Sequence, residues 1–529
     1  MKKDLFKVRL FSLTGLLGFM LTLASCANED VVQKATNTDN DNDKNLTTFS
    51  AGSPESRTTM DYSTGAFYWE AGDYIYVQDD NNVWRKSKNT PTTKTASFNF
   101  KVDGDFNNSA TYKVYYPGKN GTNDQVTIPD EQTQTKPNST EHFGVSGDCG
   151  IADATGTVGG KAFSFKLDHQ AAYLVFLPYT NNAVLHNCYL TKIEVNSDNG
   201  ITDSYTLNPT IGELSGGTGT GKQIILTTKG SGTYTNGFPL TNSVADVATN
   251  GAFMVIKPGT HTLKIRYWVK DLATNVEGTI TKILSAHTFT KNKYYNMTAS
   301  LDVHDYDGNH YCMWDAQQQY WYGYEWTKGL PNGQGQPTLQ GQPAGNYPNN
   351  LSDPRIYNNV SSSLSGRFDA THLCATAPNA NEITWYVMKG APRWDADMLW
   401  STMGHLYKGG MWFKKKSVLQ SEGNYSTEYS ADGVTDLRIV STKNYNNNNI
   451  ANGAPSTNDA NKYFYLPAVG VYNDGKWKFE PVYSYWSSSY STLNYHAFCL
   501  SFNNSSAYIT HRDPECGFMA RPFSDFGDN

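Results

Sequence analysis

The chain has 529 residues, a formal net charge of −6 and only 17% charged residues, while aromatics reach 13% with 35 Tyr, 24 Phe and 12 Trp. That length predicts three to four domains at about 150 residues each. The profile excludes a helical bundle or coiled coil, which needs more Ala, Glu, Lys and Leu. It also excludes a nucleic-acid binder, because phosphate contacts require a basic face. Low charge with abundant Tyr, Thr, Asn and Gly instead suits extracellular β-structure.

The chain opens with Lys2, Lys3, Lys7 and Arg9 ahead of an apolar run from Leu10 to Ala24. The run is too short for a permanent span and reads as a signal peptide over residues 1–25. It ends in Leu23-Ala24-Ser25-Cys26, the pattern of a bacterial lipobox. Fatty acyl chains on Cys26 would each add about 0.8 kcal/mol per buried CH₂, enough in sum to anchor the chain to an outer membrane. Cleavage removes four cations and one anion (Asp4), which takes the formal charge from −6 to −9. Residues 26–47 are polar and Asn/Asp-rich, and are expected to be a disordered tether. The acidic start of this stretch resembles the export tag of surface-exposed lipoproteins.

Cys149, Cys188, Cys312, Cys374, Cys499 and Cys516 remain after Cys26. Six cysteines permit 15 disulfide connectivities, and scattered free thiols are an equal alternative. No CxxC supports zinc or redox chemistry.

Strands are predicted at 74–77, 96–102 and 112–116, and the apolar run 171–177 suits a strand buried on both faces. Further strands are expected at 262–269 and 294–301. The glycine-rich 216–222 segment lacks phosphate-loop spacing and reads as a turn. The composition changes at Asp302, beyond which most tryptophans lie, starting with Trp314, Trp321 and Trp326. A Pro/Gly/Gln loop is expected over 330–348, and one helix over Asp395–Leu406. The expected fold class is mainly β: two tandem β-sandwich domains, 48–188 and 189–302, followed by an α+β domain, 303–529.

Three stretches of the first domain resemble the fimbrillin-like family, the pilins of Bacteroidetes type V fimbriae. They are Trp69-Glu70-Ala71-Gly72-Asp73-Tyr74-Ile75, Tyr115-Tyr116-Pro117 with Ile128-Pro129-Asp130-Glu131-Gln132-Thr133, and Phe163-Ser164-Phe165-Lys166-Leu167-Asp168-His169-Gln170. The resemblance implies polymerisation by strand addition, in which one subunit's extended segment fills its neighbour's groove. It also implies that a cut after an arginine beyond the anchor opens that groove. The first such arginine is Arg57, which could equally be an exposed residue entering a strand. His169, just before an apolar strand, is expected to be a hydrogen-bonded structural residue.

The last domain resembles C-type-lectin-like domains through Ala380–Tyr386, Leu466–Gly470, Tyr485-Trp486-Ser487-Ser488-Ser489 and Gly517-Phe518-Met519-Ala520-Arg521-Pro522. In that fold the last two motifs are framework and the loops between them form a binding face. Those loops, 490–496 and 503–515, supply the candidate ligand residues Tyr490, Asn494, Tyr495, His496, Asn504, Tyr508, His511 and Arg512. Rigid aromatics with small polar neighbours are paratope-like, although solvated loops share that composition.

No catalytic constellation stands out: GxSxG, HExxH and a phosphate loop are all missing. Asp305–Asn309 lacks the closing Glu of a calcium loop. Tyr320-Trp321-Tyr322 could stack on sugars, but reads better as core. No metal or cofactor is expected. The expected role is a non-enzymatic fimbrial tip adhesin with pilin subunits and an extracellular glycan or protein as partners. The alternative is a stand-alone outer-membrane lipoprotein.

Overall fold

The computed structural model describes residues 45–52, 59–60, 62, 67–306, 308–327, 347–358, 366–440, 442–456, 459–473, 475–478, 482–491 and 495–528. Cys26, Arg57 and Asn494 lie outside the described residues, as do the predicted signal peptide and most of the tether. The described structure is mainly β, in several sheets. It forms two compact units: residues to 181 with 189–268 and 281–301, and residues 182–188, 269–280 and 302–529.

In the first unit, strand formation begins at Thr47, inside the stretch expected to be tether. One sheet runs in the order Trp84–Lys86, Tyr76–Gln78, Thr111–Tyr116, Gly150–Gly156, Ala162–Phe165, Thr47–Ala51, Phe98–Val102. It curls until its two edges meet at the Ser87–Val102 bridge. Alternation along the strands places Phe49, Phe100, Val102, Tyr112, Val114, Phe163 and Phe165 in one buried core. Trp69 joins this core edge-on to Phe100 and Tyr116, 4.9 and 5.8 Å between centroids. The turn after Trp69 uses Gly72 at φ 85°, and Asp73 accepts the Glu70 N–H at 2.7 Å. A left-handed φ of that size costs a side chain-bearing residue about 1–2 kcal/mol.

The predicted two-faced strand is Ala172–Tyr179, buried at every position except Tyr179. It lies between Ala252–Ile256, antiparallel, and Lys293–Ser300, parallel. Gln132 and Gln134 cover the free edge of Ala252–Ile256. The Gln132 amide donates to Val255 O (2.8 Å) and accepts from Val255 N–H (3.0 Å). Gln134 does the same with Gly251 O (2.9 Å) and Phe253 N–H (2.8 Å). Two side chains thus satisfy backbone groups whose burial unpaired would cost about 1–3 kcal/mol each. This gives a physical role to the alternate glutamines of the Ile128–Thr133 motif and its continuation.

The expected break between two sandwiches at 188/189 is not where the strands divide. Gln125–Ile128 pairs with Asp203–Leu207, and Glu131–Gln134 with Gln223–Thr228. Strand segments from before the predicted boundary are therefore built into the sheets after it, in one unit. His169 is fully buried, with Nδ1 2.8 Å from Asp148 Oδ1, and Tyr173 donates to the same oxygen at 2.5 Å.

In the second unit, the predicted helix over 395–406 is instead a hairpin, Arg393–Thr402 with His405–Lys414. Its two-residue turn, Met403-Gly404, has φ of 50° and 83°, the doubly positive pair that matches strand twist. Leu399, Trp400, Ser401 and Thr402 are all buried, so both faces of that end are covered. The helix lies earlier, at Ala380–Lys389, where Asn379 and Glu382 form a capping box. A second sheet runs Tyr311–Cys312, Phe518–Met519, Tyr483–Tyr490, Ala497–Phe502, Ala507–Arg512, Asn446–Asn447. The Tyr485–Ser489 stretch and Phe518-Met519 lie in strands of this sheet. Trp486 donates to Cys312 O at 2.9 Å and stacks near Phe518 at 4.4 Å. A Cβ on Gly517 would approach Tyr472 Cβ to 2.8 Å, so only glycine fits. Tyr320 and Trp321 are core, whereas Tyr322 is exposed. All six described cysteines are free thiols.

Candidate functional site

Two features of the chain bear on function, one in each unit. The first is the strand Thr47–Ala51. It pairs antiparallel with Phe98–Val102 and parallel with Ala162–Phe165, and it separates the two. With strands about 4.8 Å apart, its neighbours stand roughly 9.6 Å from each other, a gap one strand wide. Phe49 is fully buried between Phe163 (5.3 Å, stacked) and Phe106 (5.1 Å, edge-on). In sequence, Arg57 follows this strand by six residues.

The second is the end of the Ala497–Phe502/Ala507–Arg512 hairpin. Tyr495 is 58% exposed at φ 57°, and the loop closes through Ser491 N–H on His496 O at 2.8 Å. His496 and His511 rings lie 5.6 Å apart, and Arg512 pairs with Ala497 in the ladder. Burial, His496 and Arg512 together hold the His511 pKa below its ordinary value. Tyr495, His496, His511 and Arg512 thus come together. Tyr490 does not project from a loop: it is buried at the end of Tyr483–Tyr490, 4.9 Å from Trp314, and burial pushes its phenol up to about 12. Asn504 sits in the turn at the opposite end of the hairpin, and Tyr508 pairs with Ser501 nearer that end. A six-residue strand spans about 17–20 Å, which puts Asn504 on a different surface. Tyr508 instead shares a strand with Arg512: burial raises its phenol, and the Arg512 guanidinium opposes that rise through charge and hydrogen bonding.

Beside the first group is a cavity of about 440 Å³ whose lining includes Tyr347, Leu351, Ile356, Tyr357, Asp513 and Glu515. Burial raises the Tyr357 phenol, and the Glu515 and Asp513 carboxylates raise it further. Tyr490 feels Tyr357, Asp513 and Tyr495 in the same way, which makes the cavity and the hairpin end one electrostatic neighbourhood. Arg355 belongs to the segment that walls the cavity but is held by Asp353, with Nη2 2.7 Å from Oδ2. Among the described residues, no three His, Cys, Asp or Glu side chains gather as a metal site would.

The contribution of 347–358 was not legible in the sequence, where 330–348 read only as a loop. Asp513 and Glu515 fell inside a predicted binding loop without standing out from its other polar residues. The one available signal was Tyr347 and Tyr357 bracketing a short Asn- and Pro-containing segment.

No protein-family model matches the chain, and no curated protein matches it. Solved structures do match at low similarity. A candidate cell adhesion protein of Bacteroides ovatus is 14% identical, with a TM-score of 0.32, over 48% of this chain and 92% of that one. The fimbrial anchor protein Mfa2 of Porphyromonas gingivalis is 13% identical, with a TM-score of 0.22, over 45% and 83%. A fimbrial assembly protein of Parabacteroides distasonis is 12% identical, with a TM-score of 0.25, over 49% and 91%.

Proposed function

We propose that the chain is a non-enzymatic adhesin at the tip of a type V fimbrium, tethered through Cys26 during export and joined to its neighbour by strand addition. The observation that carries this reading is the Thr47–Ala51 strand. It fills a one-strand gap, buries Phe49, and lies on the N-terminal side of Arg57. A cut after Arg57 would sever it from the rest of the unit. A pilin segment with alternating apolar residues could then take its place, gaining main-chain hydrogen bonds and alternate side-chain pockets.

Residues 518–528 favour a capping role over a donor role. Phe523 and Phe526 pack in the second unit's core against Tyr386 and Tyr485, and the Asp528 carboxylate accepts from Tyr386 OH and Lys416 N–H. That segment is committed within its own unit and is not available to a neighbour. The hairpin end and its adjoining cavity are the proposed ligand face.

One observation supports a second reading, a stand-alone surface lipoprotein. The uncut first unit has its gap filled by its own strand and needs no partner to complete the sheet. Immunogold electron microscopy with antibody against residues 303–529 separates the two. Gold at filament ends is the expected result. Gold along the shaft overturns the tip assignment, and gold over the cell surface without filaments favours the lipoprotein.

A further inference from the structure

Six cysteines remain beyond the lipobox, and the second unit brings two of them together. Cys312 ends the strand Tyr311–Cys312 and leads into a turn closed by Ala316 N–H on Met313 O at 3.1 Å. Cys374 comes from the stretch ahead of the helix Ala380–Lys389, and its sulfur accepts the Asp315 N–H of that turn at 3.1 Å. Asp315, itself fully buried, holds the stretch against the turn. Its carboxylate accepts the backbone N–H of Thr371 (2.8 Å), His372 (2.6 Å) and Cys374 (3.4 Å). Leu373 N–H adds a bond to Ala316 O at 3.3 Å. Both cysteines are fully buried in one core cluster with Trp314 and Trp486, and their thiols meet side chain to side chain.

We propose that Cys312 and Cys374 are a disulfide site, oxidised as the exported chain folds and closing a loop of 61 residues between them. The reaction is thiol–disulfide exchange with a protein or small-molecule disulfide as oxidant. One cysteine thiolate attacks a sulfur of that disulfide and expels a thiolate, leaving a mixed disulfide. The second cysteine's thiolate attacks the chain's own sulfur in that bond and expels the oxidant's other thiolate. Two electrons and two protons leave the cysteines, and the oxidant becomes two thiols.

Burial sets the timing. In the closed core, burial raises the Cys374 thiol well above its ordinary range, and the Cys312 thiol raises it further. The attacking thiolate is then scarce, so oxidation belongs to the folding chain. Cys188 and Cys499 have other sulfur neighbours: Val184 O at 3.3 Å and Ser501 Oγ at 3.6 Å. The closed loop contains 347–358, the segment that walls the proposed ligand cavity. By restricting the unfolded chain, the bridge stabilises the fold that presents this segment.

The inference takes its oxidising compartment from the export reading, but the pairing is testable without it. The full chain is harvested from cells in N-ethylmaleimide, which traps free thiols, and digested with trypsin for mass spectrometry. Cys312 and Cys374 are the sole cysteines of the tryptic peptides 294–328 and 368–389, so one cross-linked species reports the bond. These two peptides are expected joined, and separate after dithiothreitol. A second sample is refolded from urea in a glutathione redox buffer, with no export involved. Peptides joined only in that sample support the pair and count against the oxidising location. Both peptides carrying N-ethylmaleimide in both samples overturn the proposal, as does a bond from either cysteine to a different partner. Dithiothreitol is expected to lower the unfolding temperature of the cross-linked chain by about 5–10 °C. Cys374→Ser is expected to abolish that response and Cys499→Ser to keep it. A Cys374→Ser chain that responds like the parent overturns the assignment as well.

Discussion

His142 lies buried in the first unit with Nε2 2.9 Å from Phe253 O, and burial pulls its pKa from 6.5 down to about 4 against the smaller opposing effects of that carbonyl and Glu141. The folded protein therefore holds His142 neutral at pH values where the unfolded chain binds a proton. Its contribution is fully present above the unfolded pKa and is lost as pH falls from 6.5 towards about 4. The loss approaches about 3 kcal/mol, at roughly 1.4 kcal/mol per pKa unit. Urea unfolding across that range should show the decline in the first unit, and His142→Gln should flatten it. Gly404 makes a second residue-level case. Its φ of 83° is in the left-handed region and nothing lies within 4 Å of an added Cβ, so strain there is purely conformational. Gly404→Ala is expected to cost about 1–2 kcal/mol by thermal or urea unfolding.

At the scale of elements, Phe49 is the largest side chain that the strand Thr47–Ala51 buries. Phe49→Ala removes a fully buried ring from among Phe106, Tyr112 and Phe163 and is expected to cost about 3–5 kcal/mol in urea unfolding. If the strand is exchangeable, the same variant should also lose its own strand more readily to an added pilin segment. The helix Ala380–Lys389 depends on its start: Asn379→Ala removes the acceptor for the Glu382 N–H at 3.0 Å, at a cost of about 1 kcal/mol. These elements differ in how far the sequence announces them. Local pattern predicts strands at 96–102, 112–116 and 262–269, and strands form there as Phe98–Val102, Thr111–Tyr116 and Gly259–Lys270. Asp395–Leu406 looks helical because Ala, Met and Leu are good helix formers. It becomes a hairpin because Met403-Gly404 turns the chain and Tyr463–Pro467 pairs with the second strand. That decision comes from a distant partner, which local propensity cannot register. The proposed ligand face was half legible for a similar reason. Tyr495, His496, His511 and Arg512 share a hairpin end, but Tyr347 and Tyr357 reach it only through the folded path of the chain.

For the whole molecule, the proposed function couples one cleavage to one exchange of strands. Arg57→Ala is expected to leave the chain uncut, present on the cell surface and depleted from sheared filaments, as read by immunoblot of the two fractions. Equal amounts of parent and variant in the filament fraction would disconnect Arg57 from assembly. The sequence by itself determined the β-rich class and the positions of most central strands, because each rests on short-range pattern or composition. Only the tertiary structure decided that Gln132 and Gln134 seal a strand edge more than a hundred residues away. It alone decided that strands on both sides of residue 188 share sheets, and that Tyr490 is core while Asp513 and Tyr357 face one cavity. Strand pairing and burial are fixed by which surfaces meet, and contacts between residues far apart in the chain leave no periodic mark on either segment.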